Sequence, residues 1–211
     1  MIEIDVRRVR DAIAGVLSRF ADEKGANVPV SSRAGLYYTY DTATKFDMQS
    51  AEAPNVGTVE WDYEFLEDVE NSEHDEFEPV ILLDKIGWLL RYFAWTLVET
   101  DVSDASRRKD DGIALDVAKV ARTARRLFWE AERQIGATLI WPANAQHKVL
   151  PLRERFDLDH EAVPADTGSI ASDYATLLQF LDEPSGVSLL DALEAGAALC
   201  RVVSYVAIER D

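Results

Sequence analysis

The chain has 211 residues, of which 47% are hydrophobic, and its 39 acidic residues against 22 Lys and Arg give a net charge of −17. This length and hydrophobic fraction predict one folded domain with a sizeable core, and they exclude disorder along the whole chain. The negative charge repels nucleic acids and anionic membrane surfaces, so we expect neither as a partner.

The expected location follows from the N-terminus and from cysteine usage. Residues 1–5 contain two acids where a signal peptide would carry positive charge and then an apolar run. Cys200 is the only cysteine, so no intrachain disulfide can form. These features indicate a cytoplasmic protein with a buried, inert thiol.

The first predicted element is an amphipathic helix over residues 2–22. Gly25 is a plausible end for it, because glycine is common just beyond helix C-termini. The helix prediction rests on apolar residues that recur every three or four positions, namely Ile2, Val6, Val9, Ile13, Val16 and Phe20.

The next segment, 26–66, is rich in strand formers. Residues 36–40 read Leu-Tyr-Tyr-Thr-Tyr, and residues 59–65 alternate apolar with acidic, so we predict two short strands. A turn near Pro54 would connect them. A helix over 60–70 is the alternative, because Trp61, Phe65 and Val69 are spaced by four.

Residues 79–100 are the most apolar stretch, and we predict a helix at the centre of the fold. A membrane span is disfavoured, because Asp84, Lys85 and Arg91 lie within it. Trp88 and Trp95 share one stripe of this helix. The stripe is either a buried core face or an exposed protein-binding patch.

Further helices are predicted over about 112–136, 170–181 and 188–209, whereas 143–168 is the least determined segment and the one candidate for a weak domain boundary. No internal repeat is recognised. The expected fold is mainly α: a single-domain helical bundle of five or six helices around the 79–100 helix, with a small two-stranded β element near 35–66.

The strongest functional feature is the acidic 60–78 region, where no Lys or Arg interrupts the carboxylates. Crowded like charge is relieved by a basic partner, so we predict a docking surface for a basic protein; the alternative is a solvated loop. The predicted partner-binding residues are Glu60, Asp62, Glu64, Glu67, Asp68, Glu70, Glu73, Asp75, Glu76 and Glu78.

A second hypothesis places a metal in the same region. Glu67, Glu70 and Glu73 are spaced by three, so a helix would set neighbouring carboxylates one turn apart as ligands for Mg²⁺. The chain would then be a magnesium-dependent hydrolase of a phosphorylated small molecule. No other cofactor is expected.

The 112–136 helix carries a basic stripe opposite its apolar face. This stripe is either an anion-binding site, as for a phosphate, or a solvent face paired with acids of the same chain. Its members are Lys119, Arg122, Arg126 and Arg133.

The sequence lacks the serine-hydrolase, Walker and dinucleotide-binding motifs, and this lack favours a protein without catalytic activity. The leading hypothesis is a non-catalytic acidic binding protein, similar in role to an immunity or inhibitor protein. The metal-dependent hydrolase is the first alternative. A structural subunit that self-associates through the Trp88/Trp95 stripe or the 2–20 helix is the second.

Overall fold

A computed structural model describes residues 1–30, 35–40, 45–49, 54–71, 81–98, 113–150, 156 and 165–208. Within these residues the fold is mainly helical with short strands, as predicted. The helices are α1 (Val6–Lys24), α2 (Val59–Asn71), α3 (Ile81–Val98), α4 (Val117–Ile135), α5 (Ile170–Asp182) and α6 (Leu189–Ile208). The strands are β1 (Ile2–Asp5), β2 (Asn27–Pro29), β3 (Leu36–Thr39), β4 (Asn55–Thr58), β5 (Ala114–Asp116), β6 (Thr138–Trp141), β7 (Gln146–Val149) and β8 (Asp166–Ser169).

The strands form four antiparallel pairs, β1–β6, β2–β5, β3–β4 and β7–β8. The β3–β4 pair lies within the predicted β region near 35–66, but only β3 matches a predicted strand, since β4 occupies the segment predicted as a turn after Pro54. The prediction of a strand over 59–65 is wrong, because α2 begins at Val59. The inward side chains of α2 are Val59, Tyr63, Leu66 and Val69, which follow helical spacing and are buried.

Helix α1 begins at Val6 rather than at residue 2, because Asp5 caps it. The Asp5 carboxylate accepts hydrogen bonds from the backbone N–H groups of Arg7 and Arg8. Residues 2–5 extend into β1 instead. The predicted end at Gly25 is correct: its φ of 100° is a conformation that side chains other than glycine rarely adopt.

The same β–α unit occurs a second time, 111 residues later in the chain. Asp116 ends β5 and caps α4 by accepting from the N–H groups of Ala118 and Lys119. Gly136 ends α4 at a φ of 95°. The sequences that begin the two units, Ile-Glu-Ile-Asp-Val at 2–6 and Ile-Ala-Leu-Asp-Val at 113–117, are also similar.

The repetition also includes described residues that follow these two units, so the sequence interpretation that found no repeat is wrong. We define a first repeat, 2–98, and a second repeat, 113–208. Gly-Thr at 57–58 corresponds to Gly-Ser at 168–169, and Asp-Tyr at 62–63 corresponds to Asp-Tyr at 173–174, again 111 residues apart. The order strand pair, α2, α3 in the first repeat matches strand pair, α5, α6 in the second.

The two repeats contact each other reciprocally, as two subunits of a symmetric dimer do. Strand β1 pairs with β6, and its counterpart β5 pairs with β2. The Tyr174 hydroxyl accepts the backbone N–H of Asp5 at 2.9 Å, and its counterpart Tyr63 accepts that of Asp116 at 3.0 Å. Each repeat therefore supplies a pairing strand and a hydrogen-bonding tyrosine to the other.

Helices α3 and α6, one from each repeat, pack against each other. A Cβ on Gly87 would lie 3.0 Å from the Ala197 carbonyl oxygen, so the two helices approach closely. The position of the 79–100 helix at the centre of the bundle stays a prediction. Trp88 and Trp95 are buried, which identifies their stripe as core. No helix among the described residues is both long and apolar enough to span a bilayer.

One cluster of buried apolar side chains includes residues from both repeats, from Ile4 in β1 to Val203 in α6. It also includes residues on both sides of the 143–168 segment, such as Leu139 and Ile170. That the chain forms a single domain stays a prediction, and one continuous cluster of buried side chains agrees with it.

Candidate functional site

The outward surface of α2 combines acidic and aromatic side chains. Trp61 is 66% exposed and Phe65 is 41% exposed, whereas the opposite side of the helix is buried in the core. Glu60 and Glu64 are exposed beside these rings. We call these four residues, Glu60, Trp61, Glu64 and Phe65, the acidic–aromatic face. Large exposed aromatic rings are typical of protein-binding surfaces.

Asp62 lies on the other side of the helix and is only 1% exposed. The Tyr37 hydroxyl donates to one of its oxygens, and the Lys85 ammonium lies 2.7 Å from the other. Burial raises the pKa of the Asp62 carboxyl, while Lys85 and Tyr37 oppose that rise. The partner-binding prediction is corrected here, because a buried, paired carboxylate cannot contribute to an exposed surface.

A cleft of about 290 Å³ opens beside the acidic–aromatic face, between the β3–β4 pair and helices α2 and α3. Trp61 and Lys85 belong to its wall, so the cleft and the face are continuous. The side chains that line the cleft include Tyr37, Asn55, Thr58, Trp61, Asp62, Asp84, Lys85 and Trp88.

The floor of the cleft is a stack of flat groups. The centre of the Trp88 ring lies 4.2 Å from that of the Tyr37 ring, and the guanidinium carbon of Arg201 lies 4.0 Å from the Trp88 ring centre. The Nε of Arg201 is 2.7 Å from Oδ1 of Asp84. Stacking and ion pairing between buried groups hold these side chains in one arrangement, so the floor is preorganised.

Gly57 permits this packing. A Cβ built on Gly57 would overlap the ring of Tyr37, so β4 can cross over that ring only with glycine at this position. Burial also raises the pKa of the Tyr37 hydroxyl, helped by the neighbouring Asp62 carboxylate. The hydroxyl therefore stays protonated and can keep donating to Asp62.

The corresponding place in the second repeat has different chemistry. His147 and Asp173 replace Tyr37 and Asp62, with Nε2 of the histidine 2.8 Å from Oδ2 of the aspartate. Burial lowers the pKa of His147, and Asp173 opposes that effect. Ser172 takes the position of Trp61, 111 residues later. In α3 and α6 the offset is 110, because the reciprocal ion pairs Asp84–Arg201 and Glu194–Arg91 relate Asp84 to Glu194 and Arg91 to Arg201. Ala195 and Ala198 therefore take the positions of Lys85 and Trp88, so the second repeat lacks these three aromatic and cationic groups.

The structure separates the members of the predicted basic stripe. Lys119 is buried against the Tyr63 ring, 4.8 Å from its centroid, which removes it from the solvent-facing stripe. Arg133 pairs with Glu130 at 2.9 Å, and Arg126 donates to the Val69 carbonyl at 2.5 Å.

Arg122 and Arg126 line an open groove of about 450 Å³, together with Arg10, Asp11, Arg125 and the exposed Trp129. Anion binding by this groove stays a prediction.

The proposed metal ligands lie outside the described side chains. This applies to Glu67, Glu70 and Glu73, and also to the other members of the acidic region, Asp68, Asp75, Glu76 and Glu78. In the part of the chain that the structure does describe, no three His, Cys, Asp or Glu residues are placed to hold a metal ion. Cys200 is buried, and burial raises the pKa of its thiol, so it stays protonated as expected of an inert cysteine.

Comparison with protein-family models, curated proteins and solved structures gives no match to this chain.

Sequence reasoning missed the cleft, because Tyr37, Asp62 and Lys85 are distant in sequence and their pairing depends on the fold. The paired Gly-Thr and Gly-Ser steps at 57–58 and 168–169 were the available signal for it.

Proposed function

We propose that this chain is a non-catalytic acidic binding protein that docks a basic protein partner through the acidic–aromatic face. One observation carries the proposal: Trp61 and Phe65 are exposed on a helix whose other side is buried, and both stand beside exposed glutamates. This combination offers a partner both apolar contact area and complementary charge.

The two rings would supply most of the affinity. Covering an aromatic side chain of this size contributes about 1.5–3 kcal/mol, and tryptophan is enriched among the residues that dominate binding energy. Glu60 and Glu64 at the edge would favour basic partners and speed their approach, since charged residues at the rim act mainly on association rate and specificity. The net charge of −17 adds to that attraction at long range.

The partner should be basic because α2 contains no Lys or Arg. Lys85 lies beside the acidic–aromatic face: its ammonium is 5.5 Å from the centre of the Phe65 ring, and it is already paired with Asp62. Its charge is therefore largely compensated before a partner arrives.

The test compares two variants of equal charge in capture from the native host. Glu60→Gln with Glu64→Gln removes two carboxylates from the acidic–aromatic face. Glu3→Gln with Asp22→Asn removes two exposed carboxylates from β1 and α1. We expect a basic protein that the wild type and the control retain and that the first variant loses. Its retention should fall at high salt. Equal retention by both variants would contradict docking through this face.

The structural-subunit hypothesis loses both surfaces on which it depended. The Trp88/Trp95 stripe is buried, and Val9 and Ile13 on the apolar face of α1 are buried within the same chain. The metal-dependent hydrolase stays an untested prediction: its metal ligands Glu67, Glu70 and Glu73 lie outside the described side chains, and Arg122 and Arg126, its predicted phosphate-binding residues, line the open groove.

A further inference from the structure

We infer that the cleft beside α2 receives one guanidinium side chain from the basic partner. The inference rests on the proposed function and makes it more specific: the acidic–aromatic face would bind the partner's surface, while the cleft would select an arginine.

The cleft and the face are parts of one surface. Trp61 belongs to both, since its ring is exposed on α2 and also lines the cleft. Lys85 lines the cleft and reaches the ring of Phe65. A partner that covers Trp61 and Phe65 therefore lies across the mouth of the cleft, where a long side chain can enter.

Asp84 supplies the acceptor. It lines the cleft, and its Oδ1 atom lies 2.7 Å from Nε of Arg201. A carboxylate has about four acceptor sites on its two oxygens, so it can accept a further N–H group from a ligand while it stays paired with Arg201. Arg201 is 1% exposed and fixed between Asp84 and Trp88, so the acceptor is held in place before binding. A preorganised acceptor avoids the cost of ordering a mobile side chain on binding.

The chemistry of the wall favours a guanidinium over other groups. A guanidinium is planar and weakly hydrated, so it can stack on the Trp61 indole while it donates to a carboxylate. An anion would meet Asp84 in the cleft and Glu60 and Glu64 outside it. Lys85 is paired with Asp62 and Asp84 with Arg201, each at 2.7 Å, so these two ion pairs largely compensate each other's charges. The exposed carboxylates of Glu60 and Glu64 therefore decide the sign of the local charge, and they favour a cation over an anion.

The second repeat indicates that these groups are not required by the scaffold. The same helices and strands are built there with Ser172 in place of Trp61 and Ala195 in place of Lys85. Trp61 and Lys85 are therefore features of the first repeat's surface and not of the shared framework.

The test uses two small probes, Nα-acetyl-arginine methylamide and its neutral isostere Nα-acetyl-citrulline methylamide, and follows the backbone amide resonances of Gly57 and Thr58. We expect a saturable shift with the arginine probe, with a dissociation constant on the order of 1–10 mM, and at least about tenfold weaker binding of the citrulline probe. Trp61→Ala should weaken arginine binding about fivefold or more. Trp129→Ala removes the exposed tryptophan of the separate groove lined by Arg122 and Arg126, and it should leave arginine binding unchanged.

Three results would overturn the inference: equal binding of both probes, stronger binding of Nα-acetyl-glutamate methylamide, or no saturable shift at about 50 mM arginine probe. These failures are separable from failure of the docking proposal. Charge-dependent capture without arginine binding would leave the docking surface standing. Arginine binding with unchanged capture by the double glutamine variant would reject docking alone.

Discussion

The two repeats share one scaffold but differ in what they present to solvent. In both, the first helix is capped by an aspartate, Asp5 or Asp116. The backbone N–H of that aspartate donates to a tyrosine hydroxyl of the other repeat. Where the first repeat has an exposed tryptophan at 61, the second has Ser172. These shared positions maintain the fold, and the positions that differ between the repeats include those of the cleft and the acidic–aromatic face. Function is thus expected where the repeats diverge.

The largest expected effect concerns the two central ion pairs, which join corresponding residues of α3 and α6. Asp84 and Arg201 are 2.7 Å apart, whereas Glu194 and Arg91 are 4.0 Å apart. Arg201→Met leaves a mostly buried carboxylate without its partner, so we expect a loss of about 3–5 kcal/mol in the free energy of unfolding.

Arg91→Met should cost less, because the Glu194 side chain is 27% exposed and water can replace the partner. Urea denaturation of both variants measures the difference. Equal losses would show that the two pairs are energetically equivalent despite their geometry.

The next prediction concerns the glycine in each repeat that packs directly against a side-chain ring. Gly57→Ala would push a methyl group into Tyr37, and Gly168→Ala would push one into His147. Each should destabilise the fold by about 1–3 kcal/mol, the usual cost of overpacking. Gly15→Ala is the matched control: its methyl would meet Phe180 at 3.5 Å, an ordinary contact, and helix propensity should make it neutral or stabilising. A tolerated substitution at only one of 57 and 168 would break the equivalence of the repeats.

A smaller effect tests the reciprocal tyrosine contacts. Tyr63→Phe and Tyr174→Phe each remove the acceptor of one backbone N–H between repeats. We expect about 0.5–1.5 kcal/mol for each, with nearly additive losses in the double variant because the sites are separate. Thermal or urea unfolding of the two single variants and the double variant measures this. Strongly unequal losses would show that one repeat depends on the other asymmetrically.

The smallest predicted effect is a pH dependence of folding stability that arises from His147 in the second repeat. Burial lowers the pKa of His147 in the folded state, so the unfolded chain takes up that proton first. The contribution of His147 to stability is therefore present above about pH 6.5, the ordinary histidine value, and is lost as pH falls towards the lowered folded pKa. His147→Tyr, which copies the first repeat, should flatten this part of the stability curve between pH 5 and 7.5. An unchanged difference between variant and wild type across that range would contradict the assignment.

Local patterns predicted much of the fold. Helical periodicity identified α1, α3, α4, α5 and α6, and Gly25 marked an end, because caps and apolar stripes are encoded within a few residues. The strand prediction for 59–65 failed because Trp61 and Phe65, read as inward-facing, are exposed, whereas Asp62 is buried by Tyr37 and Lys85.

The acidic–aromatic face was predicted in part, through Glu60 and Glu64. The cleft was not, since its walls come from β3, β4, α2 and α3, and only tertiary packing brings these together.

The most direct test of the account replaces the surface of the first repeat with that of the second. Glu60→Ala, Trp61→Ser, Glu64→Ala and Phe65→Thr together reproduce the residues 111 positions later, Ala171, Ser172, Ala175 and Thr176. We predict a chain with a melting temperature close to that of the wild type that no longer retains the basic partner in capture from the native host. Undiminished capture by this folded variant would contradict the claim that function lies where the two repeats differ.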